Sequence, residues 1–217
     1  MIVDERVNCY IKSLTACNSN FLEELREKAL EDKVPIIKRE TESLLKTLLL
    51  LKKPKRILEI GAAVAYSSLV MAETLEGNVK ISTIENYEKR VLEAKKNIAD
   101  SNYSNTIHLI EEDASKVLKE LVEKEEKYDF IFMDAAKGQY INWLEPVIKL
   151  LNKEGVLCSD NVLQGGDIVQ SRYLIERRDR SIHSRLREYL YELTHREELS
   201  TTILSLGDGV ALTVLKK

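Results

Sequence analysis

Residues 56–76 read RILEIGAAVAYSSLVMAETLE, and this stretch decides the fold. A short run rich in aliphatic residues ends at Glu59-Ile60, a single glycine follows at Gly61, and apolar residues then recur at helical spacing. A strand passing through a glycine into a helix is the opening unit of a parallel α/β sheet. The unit repeats along the chain. KISTIE (80–85) precedes YEKRVLEAKKNIADS (87–101), and TIHLIEE (106–112) precedes ASKVLKELVEKEE (114–126). YDFIFMD (128–134) then precedes YINWLEPVIKLLNKE (140–154), and GVLCSD (155–160) supplies a fifth strand. Continuous apolar strands, as opposed to alternating ones, belong to a sheet covered on both faces. A long helical segment is predicted from about Ile168 to Arg196. STTILSLGDGVALTVLKK (200–217) reads as two strands turning at Gly207-Asp208-Gly209, a hairpin signal.

The first fifty residues are helical in pattern. SNFLEELREKALED (19–32) offers Ser19 or Asn20 as its cap, VPIIKRE (34–40) interrupts at Pro35, and TESLLKTLLLLKK (41–53) resumes. The expectation is one α/β, doubly wound, Rossmann-like domain over 1–217, with a helical cap at 1–53 and the core at 54–217. A chain of 217 residues builds one sizeable core without needing two. The formal charge of −3 gives no global pull toward nucleic acid or anionic lipid. No run approaches the roughly 18–20 apolar residues of a membrane span, and the opening MIVDERVNCY lacks a signal-peptide core. Cys9, Cys17 and Cys158 form no C-x-x-C, and His108, His183 and His195 form no ligand pattern. A reducing cytoplasm is the expected location.

In an open parallel sheet, ligands bind beyond the carboxyl ends of the strands. The residues there are chemically biased. Gly61 lets a ligand approach the backbone, but no G-x-G-x-x-G follows, so the pyrophosphate cradle of a dinucleotide site is missing. Glu59 suits a ligand with positive charge. Glu85 ends the second strand where a carboxylate accepts from ribose hydroxyls, and Asp113-Ala114 ends the third where an adenine edge would lie. Ribose and adenine without pyrophosphate, in an acidic pocket, describe S-adenosylmethionine (SAM). Asp134 and the pair Asp160-Asn161 end the fourth and fifth strands. Two carboxylates and an amide oxygen make a hard donor set, suited to Mg²⁺, Mn²⁺ or Ca²⁺ and not to zinc. The Asp160-Asn161 pair equally suits a simple Asx turn.

LEIGAAVAYSSLVMA, DFIFMDAAKGQY and GVLCSDNVL together resemble the cation-dependent O-methyltransferases, the family of catechol and caffeoyl-CoA O-methyltransferases, over nearly the whole chain. The resemblance implies a Rossmann-like class I SAM-methyltransferase fold with seven strands, and an enzyme of the SAM-dependent O-methyltransferase class. It implies that Ile37, Glu59, Gly61, Ser67, Glu85, Asp113, Ala114 and Asp134 hold the cofactor. Asp134, Asp160 and Asn161 would be the ligands of Mg²⁺ or another hard cation. Lys137 would be the general base, acting with Asp134. A homodimer is implied as well. One departure is visible: where the family often has glycine before the YS pair, this chain has Ala65, which would be strained if the position needs positive φ.

A metal site of this kind favours acceptors with two neighbouring oxygens. VPII, DAAKGQY, SDNVL and GDG are similar to the bacterial branch that methylates 5-hydroxyuridine at the tRNA wobble position, position 34 in the anticodon, giving 5-methoxyuridine. Residues 172–196 add seven arginines against four acids, interleaved with tyrosines, a composition that grips phosphates and stacks on unpaired bases. The same segment also reads as a solvated helix laced with Glu–Arg pairs. Small catechol-like or caffeoyl-CoA-like phenols are the alternative acceptors. A non-catalytic adenosyl-ligand-binding domain is the alternative of another class, disfavoured by the intact Asp134, Lys137, Asp160 and Asn161.

Overall fold

The computed structural model describes residues 4–216. Three helices come first, α1 (Glu5–Leu14), α2 (Asn20–Glu31) and α3 (Arg39–Lys52). The segment around Pro35 separates the last two, as the broken periodicity predicts. The β-α alternation follows: β1 (Arg56–Ile60), α4 (Tyr66–Thr74), β2 (Lys80–Ile84), α5 (Glu88–Ala99), β3 (Ile107–Ile110), α6 (Ala114–Glu123), β4 (Tyr128–Met133), α7 (Tyr140–Leu150) and β5 (Leu151–Ser159). The chain ends with α8 (Arg180–His195), β6 (Leu199–Leu204) and β7 (Val210–Leu215).

The strands form one seven-stranded sheet in the order β3-β2-β1-β4-β5-β7-β6. β1 to β5 run parallel, and β7 is antiparallel to both β5 and β6. The terminal hairpin is therefore as predicted. Strand pleating divides the core into two layers. Ile57, Phe130 and Phe132 face α2, α3 and α4, packing with Leu45, Leu49 and Val70. Leu58, Ile60, Ile131 and Met133 face the other way, against Trp143, Leu144 and Leu186 from α7 and α8.

Two boundaries differ from the sequence reading. The helix expected from Ile168 begins only at Arg180. Gly165 and Gly166 adopt φ of 63° and 108°, and a short 3₁₀ stretch over Gln164–Val169 gives way to turns. Between Ile168 and Asp179 only Ile168 and Ile175 are buried, so a helix there would have almost no apolar face to hold it in place. β5 also starts earlier than expected, at Leu151. It enters opposite Tyr128 and resumes regular pairing at Val156 opposite Phe130, so residues 152–155 form an irregularity that Gly155 accommodates.

Candidate active site

Strand order reverses between β1 and β4, and the loops after the strands diverge there. A cavity of about 900 Å³ opens at that point. Backbone hydrogen bonds link the strand ends in a fan. Gly61 and Ala62 donate to the Ile84 carbonyl at 3.1 and 3.0 Å, Asp134 donates to Ile60 at 3.0 Å, and Asp160 donates to Met133 at 2.9 Å. The acidic residues predicted as neighbours are thus held as neighbours by main chain. Gly61, at φ 102°, lies so close to β4 that an added methyl would overlap the Asp134 carbonyl oxygen.

On the β2–β3 side, Ser67, Glu85, Asp113 and Ala114 line the cavity, with Ile37 contributed from the segment before α3. Glu85 is oriented by the backbone N–H groups of Ala63, Asn86 and Tyr87, at 2.9, 3.0 and 3.0 Å. Asp113 caps α6, accepting from the Ser115 N–H at 2.9 Å. Glu59 stands behind the wall. It is fully buried, and its Oε2 accepts from Ser68 and from Thr83. Burial raises its carboxyl above the usual range, opposed by hydrogen bonds from Ser67, Ser68 and Thr83. Its Oε1 has no hydrogen-bond partner among the described residues.

The turn entering α4 carries the predicted anomaly. Ala65 adopts φ 64°, ψ 20°, and Ala63 has φ 46°. This left-handed conformation costs an L-residue about 1–2 kcal/mol. Ala65 is nonetheless completely buried, so its methyl group adds apolar packing in partial compensation.

Toward β5 the cavity is lined by Asp134, Lys137, Asp160 and Asn161. Lys137 Nζ lies 3.6 Å from Asp134 Oδ1, and the Asn161 amide donates to the same oxygen at 2.9 Å. Asp160 is 3% exposed. Its carboxyl is raised to about 7, first by burial and then by the charge of Asp134. Two carboxylates crowded in a desolvated corner, with an amide whose oxygen and nitrogen interchange by rotation, fit a hard divalent cation. Among the described residues no group of three or more His, Cys, Asp or Glu is spaced for a metal, so the set rests on two carboxylates and one amide. Tyr140 supports it from below. Its buried hydroxyl lies 3.1 Å from the Met133 carbonyl and 3.2 Å from that of Asp160, and accepts from the Ala135 N–H at 3.3 Å.

Sequence reasoning missed several lining residues. Tyr66, Trp143, Lys38 and Asp208 all reach the cavity. Tyr66 and Trp143 are almost fully buried, and position beside Ser67 was the one sequence signal for Tyr66. The arginines of 172–196 are not all available. Arg196 is tied to Glu145 and Glu192, and Arg178 to Glu176 and Asp179, whereas Arg172 and Arg177 are exposed. No helix among the described residues is long and apolar enough to cross a membrane.

The doubly wound sheet, closed by its antiparallel hairpin and bearing acids at successive strand ends, defines a Rossmann-like methyltransferase. The O-methyltransferase family model matches residues 12–217; the chain belongs to that family and is an enzyme of the SAM-dependent O-methyltransferase class. Among its relatives, tapetum-specific methyltransferase 1 of Arabidopsis thaliana is 27% identical over 223 residues, covering 98% of this chain and 94% of the relative. A flavonoid 3',5'-methyltransferase of Vitis vinifera is 31% identical over 172 residues, 76% of this chain and 72% of that one. A Staphylococcus aureus structure provisionally named a caffeoyl-CoA O-methyltransferase superposes with a TM-score of 0.88 at 32% identity, covering 98% of this chain and all (100%) of its own. The SAH-bound Podospora anserina methyltransferase gives 0.87 at 25% identity, covering 98% and 95%.

Proposed function

We propose that this O-methyltransferase transfers the methyl group of SAM, with a hard divalent cation, to the 5-hydroxyl of 5-hydroxyuridine in the anticodon region of tRNA. One observation carries the reading: the acids of four successive strand ends, Glu85, Asp113, Asp134 and Asp160, line a single cavity together with Lys137. SAM, when bound, supplies a methyl group on a positively charged sulfur, an electrophile for direct displacement. Glu85 and Asp113 would hold its ribose and adenine, with Ile37, Gly61, Ser67 and Ala114 as walls and Glu59 buried behind them. That a Podospora relative of the same fold is SAH-bound supports this assignment.

Asp134, Asp160 and Asn161 would hold the cation, which when bound lowers the pKa of an acceptor hydroxyl and orients it. Lys137, 3.6 Å from Asp134, is placed to take the proton of that hydroxyl at Nζ. Alignment supplies the rest, since displacement needs the attacking oxygen in line with the methyl group. Adjacent oxygens on the acceptor match such a site, as in 5-hydroxyuridine or a catechol. Arg172, Arg177 and Tyr173, exposed on the segment before α8, favour an RNA acceptor. The second reading, a small catechol-like or caffeoyl-CoA-like phenol, is favoured by the names of the Staphylococcus and Vitis relatives.

The reading takes 1–217 as one catalytic domain, acting in the cytoplasm as a homodimer; light scattering tests the assembly. For the reaction, bulk tRNA carrying 5-hydroxyuridine is incubated with SAM, with and without Mg²⁺, beside a catechol control. Transfer to tRNA that EDTA abolishes is expected. Efficient transfer to catechol with none to tRNA sinks the tRNA reading, and EDTA-resistant transfer sinks the cation.

A further inference from the structure

The terminal hairpin turn touches both the loop bearing Asn161 and the segment leading into α3. The carbonyls of Gly209 and Asp208 accept from the N–H groups of Val162 and Leu163, each at 2.9 Å. The approach is close enough to require glycine. Gly209 has φ +93°, and a methyl there would overlap Leu163. Gly207 has φ +59°, and a methyl there would stand 2.9 Å from Thr41 Oγ1 in the first turn of α3. On this second side the Asp208 carboxylate accepts from Lys38 Nζ at 2.6 Å. Lys38 ends the irregular segment that follows Pro35, and both members of the pair line the cavity alongside Asp160 and Asn161.

Stability does not account for this pair. The two side chains are 47% and 32% exposed, and ion pairs so hydrated contribute about 0–1 kcal/mol. Its consequence is geometric, because it joins two parts of the cavity lining that lie 170 residues apart in the chain. We infer that Lys38 and Asp208 are a positioning pair for the methyl acceptor, fixing the wall before α3 at a set distance from the loop that carries Asn161. The inference rests on the proposed reading that the acceptor binds at the Asp134–Asp160–Asn161 end. With the pair open, the acceptor would lose one fixed wall and its alignment with Lys137. The donor side should be spared. Ile37 is buried in the core, and its carbonyl accepts from Arg26 at 3.1 Å, independently of Lys38.

The test uses the full chain with Lys38→Met, Asp208→Asn and the charge-swapped double variant Lys38→Asp/Asp208→Lys. Hydrogen exchange is followed at residues 36–39, 161–163 and 206–209, with SAM affinity by calorimetry and steady-state kinetics on 5-hydroxyuridine tRNA and on catechol. Each single variant should speed exchange at 161–163 and raise the acceptor KM by about tenfold, with SAM affinity changed less than about twofold and the swapped pair recovering most of the loss. Unchanged exchange at 161–163, SAM affinity falling in parallel with the KM effect, or a swapped variant no better than the singles would each overturn the proposal. Transfer by the unaltered protein to neither probe would sink the substrate reading instead, and the exchange data would still decide the pair.

Discussion

The phenol of Tyr66 donates a 2.7 Å hydrogen bond to the carboxylate of Glu42, and this bond ties the helical cap to the turn that carries Ser67. Glu42 is fully buried on α3. Its two oxygens also meet Arg26 and Arg39, each at 3.3 Å, and Lys46 at 3.4 Å. A buried anion among three cations is held in balance, and removing it leaves charge stranded in a desolvated place. Tyr66 ionises only well above its usual range, through burial first and the Glu42 charge second, so it stays a donor throughout the physiological range.

Glu42→Ala is expected to destabilise the fold by about 3–5 kcal/mol, the scale for breaking a buried pair from one side. Tyr66→Phe removes only the hydroxyl and should cost about 1 kcal/mol, with SAM affinity retained because the ring still lines the cavity. Urea unfolding and calorimetry measure the two effects. If Glu42→Ala unfolds at the same urea concentration as the parent, the network does not stabilise the cap.

Asp160 gives the protein a pH dependence of known sign. Its folded pKa, about 7, lies above the usual 3.8 because the carboxyl is buried beside Asp134. Between those values the folded chain retains a proton that the unfolded chain releases, so stability is greatest below the unfolded pKa and falls as pH rises toward 7. In EDTA, the urea midpoint should therefore fall between about pH 5 and about pH 7.5, and Asp160→Asn should flatten that fall. Mg²⁺ requires the ionised carboxylate, so its stabilising effect on the parent should be larger at pH 8 than at pH 5.5. A parent midpoint that stays level across this range would refute the assignment.

Ala65 stands at φ 64° where glycine would be unstrained. Ala65→Gly relieves about 1 kcal/mol of left-handed strain but exposes the unfolded chain to more conformational freedom and deletes a buried methyl worth about 0.8 kcal/mol. The net change should be within about 1 kcal/mol, with SAM affinity intact. Ala65→Val places a β-branched residue at the same φ in a filled site and should destabilise by more than about 2 kcal/mol. Parallel denaturation curves of the two variants decide this; equal midpoints would mean the backbone relaxes freely.

The sheet and most of the strand-end residues were legible because each depends on local pattern. Gly61 punctuates a strand-helix step, Asp134 ends an apolar run, and Gly207 and Gly209 mark a hairpin. What sequence could not give were bonds between distant segments: Tyr66 to Glu42, Lys38 to Asp208, Ser159 to Tyr189. Such partners are defined by the packing of whole layers, with no period to betray them. The segment before α8 was misread for the opposite reason. Its arginines and tyrosines recur much as they would on a solvated helix, but helix formation there depended on burial that only Ile168 and Ile175 provide.

The arginines of 172–196 separate by environment, and that separation makes the RNA reading testable. Arg196 bonds Glu145 and Glu192, and Arg185 donates to the Gly138 carbonyl at 3.2 Å beside Lys137. Arg172 and Arg177 are exposed. If they grip tRNA phosphate, Arg172→Ala/Arg177→Ala should raise the KM for tRNA and reduce its salt dependence by about two phosphate contacts, with catechol kinetics unchanged. Arg196→Ala should do neither, and should lower thermal stability through loss of its bonds to Glu145 and Glu192. Equal loss on tRNA and catechol in the double variant would point to disrupted structure near Lys137, and an unchanged tRNA KM would leave the segment without a role in RNA binding.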